Sequence, residues 1–185
     1  MTTPQIVVLN GVGSVGKSST ARALQGMARV PYLHVAMDAF LSMLPEGMMG
    51  HPDGLVFETV TEDGHPSVVI HSGPVLDRAM AGMREAVAAM AGAGNRMIVD
   101  EVLLGADRQS AYRLALAGFD VRWVGLFASL EVLEARERAR GDRAIGLARW
   151  QFARVHAGMR YDLEIDTSQL SADAVAARIR DRFDL

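Results

Sequence analysis

The sequence predicts an α/β fold: a five-stranded parallel sheet with helices on both faces, a small β-hairpin insertion and an arginine-bearing lid. Three observations predict it. Short continuous apolar runs such as Gln5–Leu9 and Val121–Ala128 alternate with stretches of helical periodicity, the pattern of strands buried between two helical layers. A glycine-rich turn from Gly11 to Gly16 joins the first apolar run to the first helical stretch. Carboxylates follow two further runs, Asp38 after one and Asp100-Glu101 after another. Ligands of open parallel sheets bind beyond the carboxyl ends of the strands, so these groups belong on one rim.

Taken in order, Gln5–Leu9 is a buried strand and Lys17–Ala28 a helix. Tyr32–Met37 is the second strand, with Asp38 at its carboxyl end. Residues 40–54, rich in methionine, glycine and proline, read as a loop. Leu55–Val60 and Ser67–His71 bracket the turn signal Asp63-Gly64 and form the hairpin. Pro74 suits a first helical turn, and Leu76, Met80, Met83, Val87 and Met90 recur at helical spacing until Gly92 and Gly94. Arg96–Val99 is the third strand, Asp107–Ala117 a helix and Val121–Ala128 the fourth strand. Leu130–Arg140 is a charged helix broken at Gly141-Asp142, and Gly146–Ala157 is another helix. Leu163–Ile165 is a short fifth strand, and Ser171 caps a last helix whose apolar face carries Val175, Ile179 and Phe183.

A chain of 185 residues suits one domain, 1–185, large enough to hold a core without staples. Half the residues are apolar and 22% are charged, as in globular proteins. A net charge of −3 and a pI near 5.9 argue against a general binder of nucleic acid or anionic membrane. The absence of cysteine excludes a disulfide framework and thiolate metal sites and fits the cytoplasm. Met1-Thr2-Thr3-Pro4 lacks the basic flank of a signal peptide, and no stretch reaches the length of a membrane span. A cytoplasmic protein is the expectation.

Asn10-Gly11-Val12-Gly13-Ser14-Val15-Gly16-Lys17-Ser18 satisfies two phosphate-binding patterns at once. Gly11, Gly13 and Gly16 fit the dinucleotide fingerprint G-x-G-x-x-G; Gly11, Gly16, Lys17 and Ser18 fit the P-loop G-x-x-x-x-G-K-[ST]. Lys17 decides between them, because it is the only lysine in a chain whose other cationic side chains are arginine. A P-loop needs a compact ammonium on a flexible stem, for which a planar guanidinium is no simple replacement. Ser18 supplies the hydroxyl for a nucleotide-bound Mg²⁺. Gly11 to Ser19 is therefore read as the cradle for ATP. Two other classes remain open: an NAD(P)-dependent oxidoreductase using the overlapping glycines, and a nucleotide switch without chemistry. No guanine-reading N-K-x-D accompanies the loop.

Asp100-Glu101 has the form of a Walker B end, with Asp100 the main candidate to hold Mg²⁺ opposite Ser18. Arg136, Arg140 and Arg143 are spaced i, i+4 and i+7, so a continuous helix would carry three guanidiniums on one face. Glu134 and Glu137 offer a salt-bridged alternative. With the break at Gly141, the cluster reads as a lid that closes over phosphates and stabilises the moving phosphoryl group. Asp38 suits the base that takes the proton of an acceptor hydroxyl; a ribose ligand or a helix cap are its other readings. Met37, Met43, Met48 and Met49, with Phe40 and Leu44, either line an apolar acceptor pocket or pack in the core. The histidines His34, His51, His65, His71 and His156 show no metal-ligand spacing.

With these residues in place the chain resembles chloramphenicol phosphotransferase and its relatives, small P-loop kinases. The resemblance runs through Ile6–Ser18, Asp38, Ser72-Gly73-Pro74, Ile98–Gly105 (IVDEVLLG), Arg136–Arg143 (RERARGDR) and Tyr161–Thr167 (YDLEIDT). It implies ATP as donor, Mg²⁺ as cofactor, phosphorylation of a small hydroxylated molecule, and Asp38 as the match to the family's proposed base. Neither nucleic acid nor membrane is an expected partner, and homo-oligomerisation is left open. The chain departs from the family in Val12 and Val15 within the loop and in residues 43–66.

Overall fold

A computed structural model describes residues 5–141 and 144–185. The strand β1 (Ile6–Asn10) enters the glycine turn, followed by α1 (Lys17–Met27), β2 (Leu33–Ala36) and α2 (Met37–Leu41). A 3₁₀ turn at Glu46–Met48 precedes β3 (Leu55–Glu62), β4 (His65–Ser72), α3 (Pro74–Gly92), β5 (Met97–Glu101) and α4 (Ala106–Ala115). Then come β6 (Val121–Phe127), α5 (Leu130–Arg140), α6 (Leu147–Phe152), β7 (Leu163–Asp166) and α7 (Ala172–Phe183). Five strands form one parallel sheet in the order β2-β5-β1-β6-β7. The other two pair as an antiparallel hairpin. This is the α/β architecture expected from the alternating pattern.

Alternation along β1 distributes the core to both faces of the sheet. Val7 and Leu9 join Leu24, Leu133, Ile179 and Phe183 on one side. Ile6 and Val8 join Met83, Val87, Tyr112 and Trp123 on the other. Register then levels the strand ends. Leu9 lies beside Asp100, and Ala36 pairs with the same residue from the opposite edge of β5. The glycine turn, Asp38 and Asp100 consequently share one rim, as the carboxyl-end rule requires.

The hairpin turn is the Asp63-Gly64 pair, at φ 50° and φ 78°, which the right-handed twist of two paired strands favours. Three boundaries differ from expectation. Asp38 sits in α2, two residues beyond a strand that stops at Ala36. Residues 46–48 form a 3₁₀ turn inside the expected loop. The helix expected over Gly146–Ala157 ends at Phe152. Beyond it, Val155 O accepts from the Asn10 side chain and Ala157 O accepts from Ala106 N, so tertiary partners replace helical ones. No helix among the described residues is long and apolar enough to cross a membrane.

Candidate active site

The glycine turn wraps around the head of its own lysine. Lys17 is only 8% exposed, and its Nζ donates to Gly11 O at 2.9 Å and Val12 O at 3.1 Å. The stem thus curls back over the loop. Gly16, at φ 103°, takes a left-handed conformation that L side chains rarely adopt, and it hands the chain to α1. The first-turn N–H groups of α1 have no helical acceptors and can bind an anion. Ser14, Gly16, Lys17, Ser18 and Ser19 line a cavity of about 340 Å³ at this end. Val12 and Val15 point the other way, buried in the core beside Leu9 and Leu126, so the two departures from the family pattern leave the cavity wall unaltered. Gly11 contributes its carbonyl to Lys17, and Gly13 N–H is taken by the Gln151 side chain at 2.7 Å.

Asp100 lies where Ser18 can reach it. Ser18 Oγ donates to Asp100 Oδ2 at 2.5 Å, and His34 Nε2 lies 3.3 Å from the same oxygen. Burial pulls the Asp100 carboxyl upward, but hydrogen bonding to His34, the charge of Lys17 and the Ser18 hydroxyl outweigh it and hold the group below its ordinary value. Its neighbour behaves oppositely. Glu101 faces the other side of β5, where burial pushes its carboxyl up against the hydrogen bonds of Tyr112 Oη (2.7 Å) and Val102 N (3.1 Å). The two adjacent carboxyls are thereby shifted in opposite directions, and the lowered one sits beside Ser18. Among the described residues no group of three His, Cys, Asp or Glu forms a metal cage. A divalent ion shared with a nucleotide requires none, because hydroxyl, one carboxylate, phosphate oxygens and water complete its octahedron.

Arg136 and Arg140 line the same cavity from α5. The helix stops at Arg140, where Gly141 adopts φ 70°, so one helical face carries two of the three arginines and Arg143 lies outside the described residues. Among the described residues, Glu134 and Glu137 have partners elsewhere. Glu134 pairs with Arg149 at 2.6 Å, while buried Glu137 accepts Gly146 N and Ala148 N, both at 2.8 Å, holding the start of α6 to α5. Arg136 itself is anchored: Nη2 donates to Thr167 O at 2.8 Å, and Nη1 to Thr167 Oγ1 at 3.2 Å and Val15 O at 3.4 Å. Arg136→Ala should therefore lower stability by about 1–3 kcal/mol, through charge-assisted bonds lost inside the fold. For a chain of this size that is roughly 2–4 °C of melting temperature per kcal/mol, readable by calorimetry; an unchanged melt would show that these contacts contribute nothing.

A second cavity, of about 330 Å³, adjoins the first and shares Met37, Asp38 and Val102 with it. Its walls come from α2, the hairpin, α3, α4 and α6, through residues such as Leu41, Phe57, Ile70, Leu76 and Leu147. Of the four clustered methionines only Met37 lines it; Met43 and Met49 are 69% and 50% exposed, and Phe40 packs against the core. The wall is also less charge-poor than the Met37–Met49 segment implies, because Arg84 and Arg108 reach it from α3 and α4. The hairpin is joined directly to the start of α6. Val68 N donates to Gly146 O at 3.0 Å, and Gly146, at φ 103°, abuts Pro66 so closely that a Cβ would meet Pro66 O at 2.5 Å.

Behind the loop sits a polar knot that no sequence pattern announces. Asn10, fully buried, donates to Tyr161 Oη at 2.8 Å and Val155 O at 3.2 Å and accepts Leu103 N at 2.7 Å. Tyr161 Oη lies 2.8 Å from His156 Nδ1, and His156 stacks on Phe127 at 3.9 Å. Burial, with the charge of Lys17, holds His156 down at about 4 despite an opposing backbone hydrogen bond at Leu126. The folded protein keeps this ring neutral while the unfolded chain protonates it near 6.5, so its stability contribution is complete above 6.5 and lost as pH falls toward 4. Melting temperature should fall across that window, and less steeply in His156→Gln; equal slopes would remove His156 as the cause.

The geometry has clear relatives. The family profile described as chloramphenicol phosphotransferase-like protein matches residues 4–184. A Mycobacterium tuberculosis protein provisionally named an O-phosphotransferase is 30% identical over 184 residues, spanning 97% of this chain and 82% of its own length. Among solved structures, a sugar kinase from Janibacter superposes with a TM-score of 0.70 at 20% identity, covering 98% of this chain and 95% of that one. The APS kinase of Mycobacterium tuberculosis, solved with AMPPNP and APS, superposes with a TM-score of 0.66 at 16% identity, covering 100% of both. At these identities the structures establish a shared fold.

Proposed function

Since the chain belongs to the chloramphenicol phosphotransferase-like family of small-molecule kinases, we propose that it transfers the γ-phosphoryl group of ATP to a hydroxyl of a largely apolar small molecule, with chloramphenicol the first candidate. One observation carries the reading: two cavities, one walled by the glycine loop and one by apolar side chains, meet at Asp38. A phosphoryl donor in the first and an alcohol in the second would face each other across that carboxylate. The new O–P bond forms from the acceptor oxygen, the bond from the γ-phosphorus to the β,γ-bridging oxygen breaks, and the hydroxyl proton passes to Asp38.

Lys17 and the loop N–H groups hold the β- and γ-phosphates; Arg140 and Arg136 lie on the opposite wall, where charge leaves with ADP. Arg136 has a second task, because its bonds to Thr167 and Val15 brace the loop from behind. Ser18 and Asp100 are hard oxygen donors within 2.5 Å of each other, a set that fits Mg²⁺. When bound there, the ion neutralises phosphate charge and orients the transferring group. His34 steadies Asp100 and joins the site as a residue that spacing rules overlooked. Lys17, Ser18 and Asp100 have no counterpart use in dinucleotide binding, which disfavours the nicotinamide reading.

The test is acceptor-dependent ADP release from ATP–Mg²⁺ across a panel of hydroxylated antibiotics and metabolites, beginning with chloramphenicol. Turnover with an apolar alcohol supports the reading. Turnover confined to highly charged metabolites such as nucleoside monophosphates would keep the kinase and overturn the acceptor class.

A further inference from the structure

Gln151, on α6, is 3% exposed and touches both halves of the site. Its side-chain oxygen accepts Gly13 N–H at 2.7 Å, and the same side chain forms part of the acceptor cavity wall beside Leu147. The orientation of the carboxamide follows from chemistry. Gly13 N–H can only donate, so the amide must present its oxygen to the loop and turn its NH₂ away. Among the described residues nothing accepts from that NH₂. The NH₂ is therefore available to whatever occupies the cavity that Gln151 lines.

We propose that Gln151 is an acceptor-binding residue whose NH₂ donates to a second oxygen of the substrate, distinct from the one phosphorylated. The inference rests on the kinase reading above and narrows its substrate class. A hydrogen bond donated to the reacting oxygen would draw electron density from the nucleophile, so Gln151 is assigned to a different group. That group is a hydrogen-bond acceptor, because an NH₂ can only donate. The acceptors selected are alcohols that also carry a carbonyl or second hydroxyl. Because the same amide holds Gly13, an acceptor on its NH₂ also fixes the loop. Acceptor and nucleotide should therefore bind with positive coupling.

The experiment uses Gln151→Met, which removes both contacts, and Gln151→Glu, which keeps an oxygen for Gly13 and loses the NH₂. The probe is the compound of the hydroxylated panel that gives the parent its largest ADP release. Expected for both variants is an acceptor KM raised about tenfold or more, the worth of one hydrogen bond, with AMPPNP–Mg²⁺ affinity weakened further in Gln151→Met, which also loses the Gly13 contact. Should Gln151→Met fail to fold, Gln151→Glu alone decides. A folded Gln151→Glu with an acceptor KM within twofold of the parent overturns the role of Gln151 while the kinase stands. A parent that releases no ADP with any compound of the panel overturns the kinase reading itself, and this inference with it.

Discussion

Lys17→Ala is expected to abolish phosphoryl transfer, lowering kcat/KM by about 10³-fold or more, since it removes the ammonium proposed to hold the β- and γ-phosphates. The same change should erase most of the thermal shift that ATP–Mg²⁺ gives the parent, which at a hundredfold excess over Kd is about 2.7 kcal/mol. Read from sequence alone, a lysine in a glycine loop faces solvent, and its loss would leave the melt unchanged. The structure corrects this, because Lys17 is buried and donates to two loop carbonyls. Losing charge-assisted bonds costs stability, and relief from burying a charge offsets part of it, so the free protein should lose about 1 kcal/mol, or 2–4 °C. Lys17→Arg should not rescue turnover, since the planar fork cannot occupy the same curl. Equal turnover and equal ATP stabilisation in parent and Ala variant would end the P-loop assignment.

Asp38→Asn should lower kcat by about 10²–10⁴, the usual range for a positioned general base, with AMPPNP–Mg²⁺ affinity nearly unchanged. The substitution preserves size and some hydrogen bonding but removes the group that accepts the proton. The transition state of phosphoryl transfer is loose, so part of the loss reflects aim rather than basicity. Asp38→Glu separates the two: it keeps a carboxylate but moves it by one methylene, and a comparable fall would assign the larger share to aim. Two other roles predict different losses. A helix cap would show as a lower melting temperature, although α2 has no side-chain cap bond from its N-cap residue. A ribose ligand would show as weakened nucleotide binding. Steady-state ADP release and calorimetric titration together tell the three apart, and parental turnover in Asp38→Asn would exclude Asp38 as the base.

Much of this protein was legible from local chemistry. Strands and helices announced themselves because an apolar run buried between helices and an amphipathic helix obey different periods. The glycine turn was legible because a left-handed residue at Gly16, a hydroxyl at Ser18 and a single lysine among arginines are requirements of one short loop. Asp38 and Asp100 could be placed on the rim because parallel strands end together at the same side of a sheet. The helix limit at Arg140 was likewise written in Gly141.

Other features depend on where distant segments meet. Gln151 is an ordinary glutamine in the chain, and only the packing of α6 under the loop, 138 residues from Gly13, gives its amide two distinct neighbours. Asn10 and His156 form their knot across comparable separations, and His34 approaches Asp100 because β2 pairs with β5. The acceptor cavity follows the same logic. Its walls come from several elements distant in the chain, and two of the four methionines that looked like its lining, Met43 and Met49, face solvent, because local apolarity does not say which side of a loop the fold will cover. The sequence by itself determined the sheet, the phosphate loop and the rim, which local periodicity and backbone conformation dictate. Tertiary structure alone decided which polar groups share a hydrogen bond, which carboxyl is lowered and which raised, and what lines the second cavity. Those properties depend on distance and desolvation between residues far apart in the chain.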